Sequence, residues 1–175
     1  MVKYGIISDT HIDFDSNSKD LITQLKEAFD GVETIFHAGD IIDKEFLDCL
    51  KKIAPVKVVK GEDDKIEGLS TFLKFEVRGY KIGMIHKIPK DQTDLEGFCR
   101  KYDLIDGILI YGHTHQPLIQ GTSFNTLLLN PGSPTQPKAP EKIKGFKEPK
   151  ARPTCILLTI ENEIITSILV NLNKL

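Results

Sequence analysis

The chain has 175 residues, of which 40% are hydrophobic and 27% are charged, which is enough for one α/β domain with a sizeable core and short for two. Its formal net charge of −2 excludes a strongly basic protein that coats nucleic acid. Three widely separated cysteines without CxxC spacing argue against a disulfide framework or a zinc ribbon and suit a reducing compartment.

The first third of the chain alternates strand-like and helix-like segments. Short apolar runs predict strands at 3–8, 33–39 and 56–60. One amphipathic stretch follows Ser18 and closes at Gly31, and a second covers 44–53, which predicts two helices. Strand–helix–strand–helix–strand in so few residues indicates right-handed βαβ units and a parallel sheet.

Hairpins dominate the second half of the chain. The stretch 70–86 alternates around an Arg-Gly turn and 154–172 alternates around a short polar turn, so both predict hairpins. Between them we predict a helix at about 93–103, a strand at 107–111, and then the strand-like segments "PLIQG" and "NTLLLN". We therefore expect a parallel half followed by an antiparallel half, in two sheets packed face to face with helices outside.

One long segment, 134–153, breaks this regularity. It carries five prolines, six Lys or Arg and only two Glu, so a regular helix or a central strand is excluded. A loop of this length in a compact domain is usually functional or disordered. It is either a solvated loop or a segment that grips an anionic ligand, within a single domain that spans 1–175.

Acidic and imidazole side chains follow most of the predicted strands. They are Asp9 and His11 in "SDTH", Asp40 in "HAGD", Glu62, Asp63 and Asp64 in "KGEDD", His86 after "KIGMI", and His113 and His115 in "IYGHTH". Strand ends of open α/β sheets collect ligands at one edge. Residues two apart in an extended segment point to the same side, so each i, i+2 pair can face one site. Mixed Asp and His ligands suit Mn, Fe, Ni, Co or Zn. His37 has no such partner, and we leave it out of the site.

Together with "NPGS" at 130–133, these motifs resemble those of the calcineurin-like metallophosphoesterases, and most of all their short single-domain prokaryotic phosphodiesterases. The resemblance runs in order from residue 3 to about residue 135. It implies an α/β fold with four layers, in which two mixed β-sheets pack face to face and helices cover both outer faces. It also implies a metallophosphoesterase, a hydrolase acting on a small phosphoester and most specifically on a phosphodiester.

The resemblance also implies a site with two divalent metal ions, Mn, Ni, Fe or Zn, and a bridging hydroxide that attacks phosphorus. The first metal would be held by Asp9, His11, Asp40 and His115, and the second by Asp40, Glu62, His86 and His113. Asp40 and His113 are the residues we expect to take part in catalysis. Gly112 lets the backbone approach closely and is expected at the substrate. Lys87 is expected there too, beside the phosphate, unless it points to solvent.

The stretch 61–64 departs from the family pattern. Glu62 stands where the family has an Asn ligand that also lies beside the phosphate. A carboxylate there keeps metal binding but brings a negative charge next to an anionic substrate, so we expect slower or altered phosphate chemistry. Asp63 stands where many larger relatives carry a histidine, so this motif offers no protonating imidazole.

A second hypothesis follows from the same departures. The sequence also resembles the small metallophosphoesterase-like subunit of retromer, which implies a metal-binding but non-catalytic scaffold for protein interactions. A nuclease is less favoured, because the chain has no Trp and only 7% aromatic residues. Because it has neither an apolar leader nor a run near 18 apolar residues, we expect a cytoplasmic protein without membrane contact. A hairpin edge near 163–171 could support a homodimer.

Overall fold

The computed structural model describes residues 1–13 and 15–173. The elements in chain order are β1 (Val2–Ile7), α1 (Ser16–Ala28), β2 (Thr34–His37), α2 (Lys44–Lys51), β3 (Val56–Val58), β4 (Phe72–Val77), β5 (Tyr80–Ile85), α3 (Gln92–Lys101), β6 (Ile108–Ile110), β7 (Pro117–Gly121), β8 (Leu127–Pro131), β9 (Thr154–Glu161) and β10 (Ile164–Asn171). The predicted strands and helices are all present, with ends that differ by a few residues.

The strands form two five-stranded sheets, with the orders β10-β9-β1-β2-β3 and β4-β5-β6-β8-β7. Both are mixed. In the first sheet β1, β2 and β3 are parallel and β9 returns antiparallel to β1, with Ile156 opposite Ile6. In the second sheet β5, β6 and β8 are parallel, and β4 and β7 are antiparallel edges. The expectation of a parallel half followed by an antiparallel half was therefore wrong, because β5, β6 and β8 of the second half are parallel and the last hairpin joins the first sheet.

Three apolar clusters separate the layers. The inner faces of the two sheets meet in a buried cluster that includes Ile6, Phe36, Met84 and Ile110. On the outer face of the first sheet, α1 and α2 bury their apolar faces. On the outer face of the second sheet, α3 packs through a cluster that includes Leu95 and Tyr111. The predicted four-layer α/β sandwich is thus confirmed.

The start of α1 lies earlier than the sequence suggested. Asp15 is the N-cap, since its Oδ1 accepts a hydrogen bond from the Ser18 amide at 2.9 Å. The Ser18 hydroxyl in return accepts the Asp15 amide at 2.9 Å, which completes a capping box. Ser18 therefore lies inside the first turn, and the expectation that it precedes the helix was wrong.

Two regions differ from the regular layers. Residues 134–153 contain no helix or strand, in agreement with their proline content. Strand β10 is an edge of the first sheet and leaves Ile164, Ile168 and Leu169 exposed. The homodimer suggested for this edge stays a prediction. Among the described residues, none of the helices has the length and apolar character needed to cross a membrane.

Candidate metal centre

The predicted site residues lie in the short loops that follow β1, β2, β3, β5 and β6, at one edge of the two sheets. Their backbones are unusual. Five of them have positive φ angles: Asp9 (53°), His11 (34°), Asp40 (58°), His113 (68°) and His115 (59°). Each such non-glycine residue costs roughly 1–3 kcal/mol, and such residues concentrate where function fixes a side-chain direction. The backbone conformation of the loops therefore sets the direction of these side chains.

One group of ligand atoms is formed by Asp9, His11 and His115, all within 4.8 Å of one another. His115 Nε2 lies 3.4 Å from Asp9 Oδ1. The carboxylate of Asp9 is fully buried and also accepts the His113 amide at 3.0 Å. This group contains three of the four residues expected at the first metal.

A second group is formed by Glu62, His86 and His113, again within 4.8 Å. His113 Nδ1 lies 3.2 Å from Glu62 Oε2. The β5 loop supplies His86, the β6 loop supplies His113, and the β3 loop of the other sheet supplies Glu62. This group matches three of the four residues expected at the second metal.

Asp40 lies between the two groups. Its Oδ2 is 3.3 Å from His11 Nε2 and 3.2 Å from His86 Nε2. One oxygen is thus within reach of both groups, as a bridging ligand requires. All seven residues expected to bind metal come together here; that they do bind metal stays a prediction.

Two imidazole nitrogens test whether this cluster suits cations. His11 Nε2 and His86 Nε2 are buried and lack a hydrogen-bond partner among the described residues, although both face carboxylates. His86 Nδ1 lies 2.8 Å from the Ala38 carbonyl, and His115 Nδ1 lies 2.7 Å from the Gln136 carbonyl. A ring whose Nδ1–H donates to a carbonyl presents an Nε2 lone pair to a metal. The donor set therefore fits divalent cations.

A match to a family model over most of the chain decides the family. The sequence matches the Calcineurin-like phosphoesterase superfamily domain over residues 2–163. The chain belongs to this superfamily. It is thus a member of the calcineurin-like phosphoesterases by descent.

Named relatives agree with this assignment. A probable metallophosphoesterase of Methanothermobacter thermautotrophicus is 38% identical over 138 residues, 77% of this chain and 78% of that protein. A probable metallophosphoesterase of Methanocaldococcus jannaschii is 40% identical over 142 residues, 79% of this chain and 71% of that protein. The crystal structure of Vps29 from Entamoeba histolytica complexed with Zn²⁺ aligns with a TM-score of 0.73 at 26% identity, over 98% of this chain and all of that one.

The two central carboxylates of this phosphoesterase site differ in acidity. Burial raises the pKa of Asp9, and the hydrogen bond from Ser8 and the nearby imidazoles only partly offset it. Burial acts in the same direction on Asp40, but the adjacent His86 ring and the hydrogen bond from the Asp63 amide outweigh it and lower the pKa of Asp40 to about 2. Asp40 is therefore the carboxylate that stays ionised without a bound metal ion.

Glu62 and Lys87 form a contact that the sequence did not predict. Lys87 Nζ lies 2.8 Å from Glu62 Oε1, and this cation lowers the pKa of Glu62. Lys87 was expected either beside the phosphate or in solvent; its side chain is 45% exposed and its amine lies at the site. The charge that Glu62 adds to the second group is therefore opposed within the protein.

Glycine is required at position 112 because the β6 loop closely approaches the β1 loop there. A Cβ atom at this position would collide with the Ser8 hydroxyl and the Asp9 carboxylate. Asn130 Nδ2 also donates to the Gly112 carbonyl at 3.0 Å. Gly112 thus lets the β6 loop contact the β1 loop, and its expected contact with substrate stays a prediction.

Several residues that support the site were not among its predicted members. His37 is fully buried, its Nδ1 accepts the Gly39 amide at 3.2 Å, and its Nε2 lies 3.2 Å from the Thr10 hydroxyl. Ser133 donates to the Asp9 carbonyl at 2.7 Å, and Thr135 donates to the Thr10 carbonyl at 2.8 Å. The "NPGS" motif signalled Ser133, whereas nothing local signalled the contact of Thr135.

Proposed function

We propose that this calcineurin-like phosphoesterase hydrolyses phosphodiesters with the help of two divalent cations. The observation that carries the proposal is the pair of ligand groups joined at Asp40, with buried imidazole nitrogens that lack hydrogen-bond partners among the described residues. Family membership and the two archaeal metallophosphoesterases support hydrolysis of a phosphoester. The preference for a diester and the count of two cations are our inferences.

The chain offers a complete set of ligands for such a pair. Asp9, His11, Asp40 and His115 would hold one cation, and Asp40, Glu62, His86 and His113 the other. When bound, the cations lower the pKa of a water to supply the nucleophile and neutralise charge that develops on the phosphoryl oxygens. Mn, Ni, Fe and Zn all suit mixed Asp and His donors, and zinc is the ion bound by Vps29 of Entamoeba histolytica.

The protein itself contributes positioning and charge. His86 and His115 are fixed by hydrogen bonds between Nδ1 and backbone carbonyls, so their Nε2 atoms need no reorientation. Lys87 places a positive charge beside the second group, where an anionic phosphoester would arrive. His113 is one-third exposed, which leaves it accessible to a substrate. Asp40 and His113 are thus the residues we assign to catalysis.

A metal add-back assay tests the proposal. The purified chain is stripped of metal, supplied with Mn²⁺ or Ni²⁺, and assayed with bis-p-nitrophenyl phosphate and p-nitrophenyl phosphate. Asp40→Ala and His115→Ala should lower metal-dependent turnover more than about 100-fold, beyond the cost of losing an outer-shell partner. Asp103→Ala is the matched control, because Asp103 is exposed and pairs with Lys74 and Lys81 away from the site. Equal turnover in all variants would refute the proposal.

The Glu62–Lys87 pair gives a second, finer test. Glu62→Asn removes a negative charge beside the substrate and should raise kcat/KM for phosphoesters. Lys87→Met leaves the Glu62 charge unopposed and should lower kcat/KM by about 2- to 5-fold, the size of a partly exposed ion pair. In the Glu62→Asn background the Lys87→Met substitution should change kcat/KM by a different factor, because Lys87 no longer faces a carboxylate. Additive effects of the two substitutions would contradict this coupling.

A non-catalytic scaffold is the second candidate. It is favoured by the similarity to Vps29 over nearly the whole chain and by Glu62 in place of the family's Asn. Tight Mn²⁺ or Zn²⁺ binding without turnover of any phosphoester offered would establish this candidate over the hydrolase. The ligand set alone is compatible with both, so turnover is the deciding measurement.

A further inference from the structure

A pocket of about 240 Å³ opens beside the second ligand group. One wall is the segment 87–90, which follows β5, and the other is 111–114, which follows β6. His113 and Lys87 both line it, so the pocket adjoins a candidate metal ligand and the cation that faces Glu62. An organic group attached to a phosphate at the metal centre would be directed here.

The body of the pocket is apolar. Its lining includes Ile88, Pro89 and Tyr111, together with Lys87 and Lys90. Ile88 packs against the same buried cluster that anchors α3, and Tyr111 belongs to that cluster. The apolar wall is therefore fixed by the core and does not depend on a mobile side chain.

The volume of the pocket limits what it can hold. An apolar cavity of about 150 Å³ is enough to bind benzene, so the 240 Å³ present here accommodates one substituted ring. Pockets for larger, drug-sized ligands span roughly 300–1,000 Å³. A group with two fused or linked ring systems and a sugar would extend beyond these walls.

We propose that this pocket, defined by segments 87–90 and 111–114, binds the organic group of the substrate and selects phosphoesters that carry a single apolar ring, such as an aryl group. The proposal rests on the proposed function, and it adds the class of substrate. Ile88 is the residue to which we assign this specificity, because it is the aliphatic residue of the lining and packs against the buried cluster beneath α3. The lysines favour an anionic ester over a neutral one.

The test compares phenylphosphonate with methylphosphonate, two non-hydrolysable anions that differ only in the organic group. Their affinities for the Mn²⁺-loaded protein are measured by calorimetry and by inhibition of bis-p-nitrophenyl phosphate turnover. The phenyl compound should bind at least about 10-fold more tightly, as expected for filling an apolar pocket. Ile88→Ser should bring this ratio close to one, and Ile88→Phe, which fills the pocket, should do the same without creating a cavity.

Ile119→Ser is the matched control, because Ile119 is an exposed isoleucine on the edge strand β7. It should leave the phenyl-to-methyl ratio unchanged, and methylphosphonate affinity should be the same in all folded variants. The inference is overturned if the protein hydrolyses bis-p-nitrophenyl phosphate but binds phenylphosphonate no more tightly than methylphosphonate. It is also overturned if the phenyl-to-methyl affinity ratio is unchanged by both Ile88 substitutions. Either result leaves the phosphoesterase proposal intact. Absence of any turnover contradicts the proposed function instead, so the two failures are distinguishable.

Discussion

Three adjacent carboxylates, Glu62, Asp63 and Asp64, lie in the loop that follows the third strand, and they face different donors. Glu62 faces Lys87 and His113. Asp63 Oδ2 lies 3.4 Å from His11 Nδ1. Asp64 accepts the amides of Asp40 at 3.0 Å and Ile41 at 2.8 Å, and also that of Gly61. The repulsion expected of such a run is offset because the three side chains diverge, and Asp64 fixes the loop that carries Asp40.

His37 gives a residue-scale prediction about pH. Burial lowers its pKa from an ordinary value of 6.5 to about 3, so it is neutral in the folded protein and its Nδ1 accepts the Gly39 amide. Its stabilising effect is complete above pH 6.5 and is lost as pH falls towards 3, at up to about 1.4 kcal/mol per pH unit. We expect His37→Gln to flatten the decline of unfolding free energy between pH 6.5 and 4, measured by urea unfolding of metal-free protein.

The comparison with wild type isolates this one group, because the other titrating residues are present in both proteins. The absolute stability of His37→Gln is not the readout, since a buried substitution has its own cost. Parallel curves of unfolding free energy against pH for the two proteins would show that His37 does not control acid sensitivity.

At the scale of elements, the sequence pattern predicted the strands and helices themselves, because neighbouring residues determine them. The apolar runs and their polar ends placed Asp9, Asp40 and His113 at strand ends. The i, i+2 argument for His113 and His115 assumed an extended backbone, whereas both residues have positive φ angles and belong to different ligand groups. The return of β9 to β1 was missed, because strand partners depend on contacts between distant residues. The Glu62–Lys87 contact was missed for the same reason, since it joins loops of different sheets.

The contact between the β1 and β6 loops gives an element-scale prediction. Gly112→Ala places a methyl group against Ser8 and Asp9, which should cost about 1–3 kcal/mol by overpacking and weaken Mn²⁺ binding. Gly97→Ala is the matched control, because Gly97 lies in α3 with open space around it. It should stabilise the protein by roughly 0.5–1 kcal/mol through helix propensity.

Urea unfolding and Mn²⁺ calorimetry of both glycine variants measure these effects. The same Gly→Ala change is expected to lower the unfolding free energy at position 112 and to raise it at position 97, so the two variants are readily distinguished. If Gly112→Ala were as well tolerated as Gly97→Ala in both measurements, the close approach of the two loops would not be what holds Asp9 in place.

For the whole molecule, the site lies where the two sheets meet. The first sheet supplies Asp9, His11, Asp40 and Glu62, and the second supplies His86, His113 and His115. The inner faces of the two sheets pack through apolar, non-directional contacts. Hydrogen bonds such as that from the Thr154 hydroxyl to the Pro131 carbonyl, at 2.7 Å, also join the sheets. Cations bound at this edge would add further directional bonds between the sheets and, in their absence, the carboxylates gathered there repel one another.

This arrangement predicts that cations stabilise the entire fold. At a free Mn²⁺ concentration 100-fold above its dissociation constant, unfolding free energy should rise by about 2.7 kcal/mol. For a chain of this length that corresponds to an increase of Tm by about 5–10 °C, measured by thermal unfolding with and without Mn²⁺. Asp40→Asn should abolish most of the increase because Asp40 serves both ligand groups, whereas Asp103→Asn, at an exposed carboxylate outside the site, should retain it. An equal increase in both variants would mean that Mn²⁺ acts elsewhere and that the two sheets are not joined through Asp40.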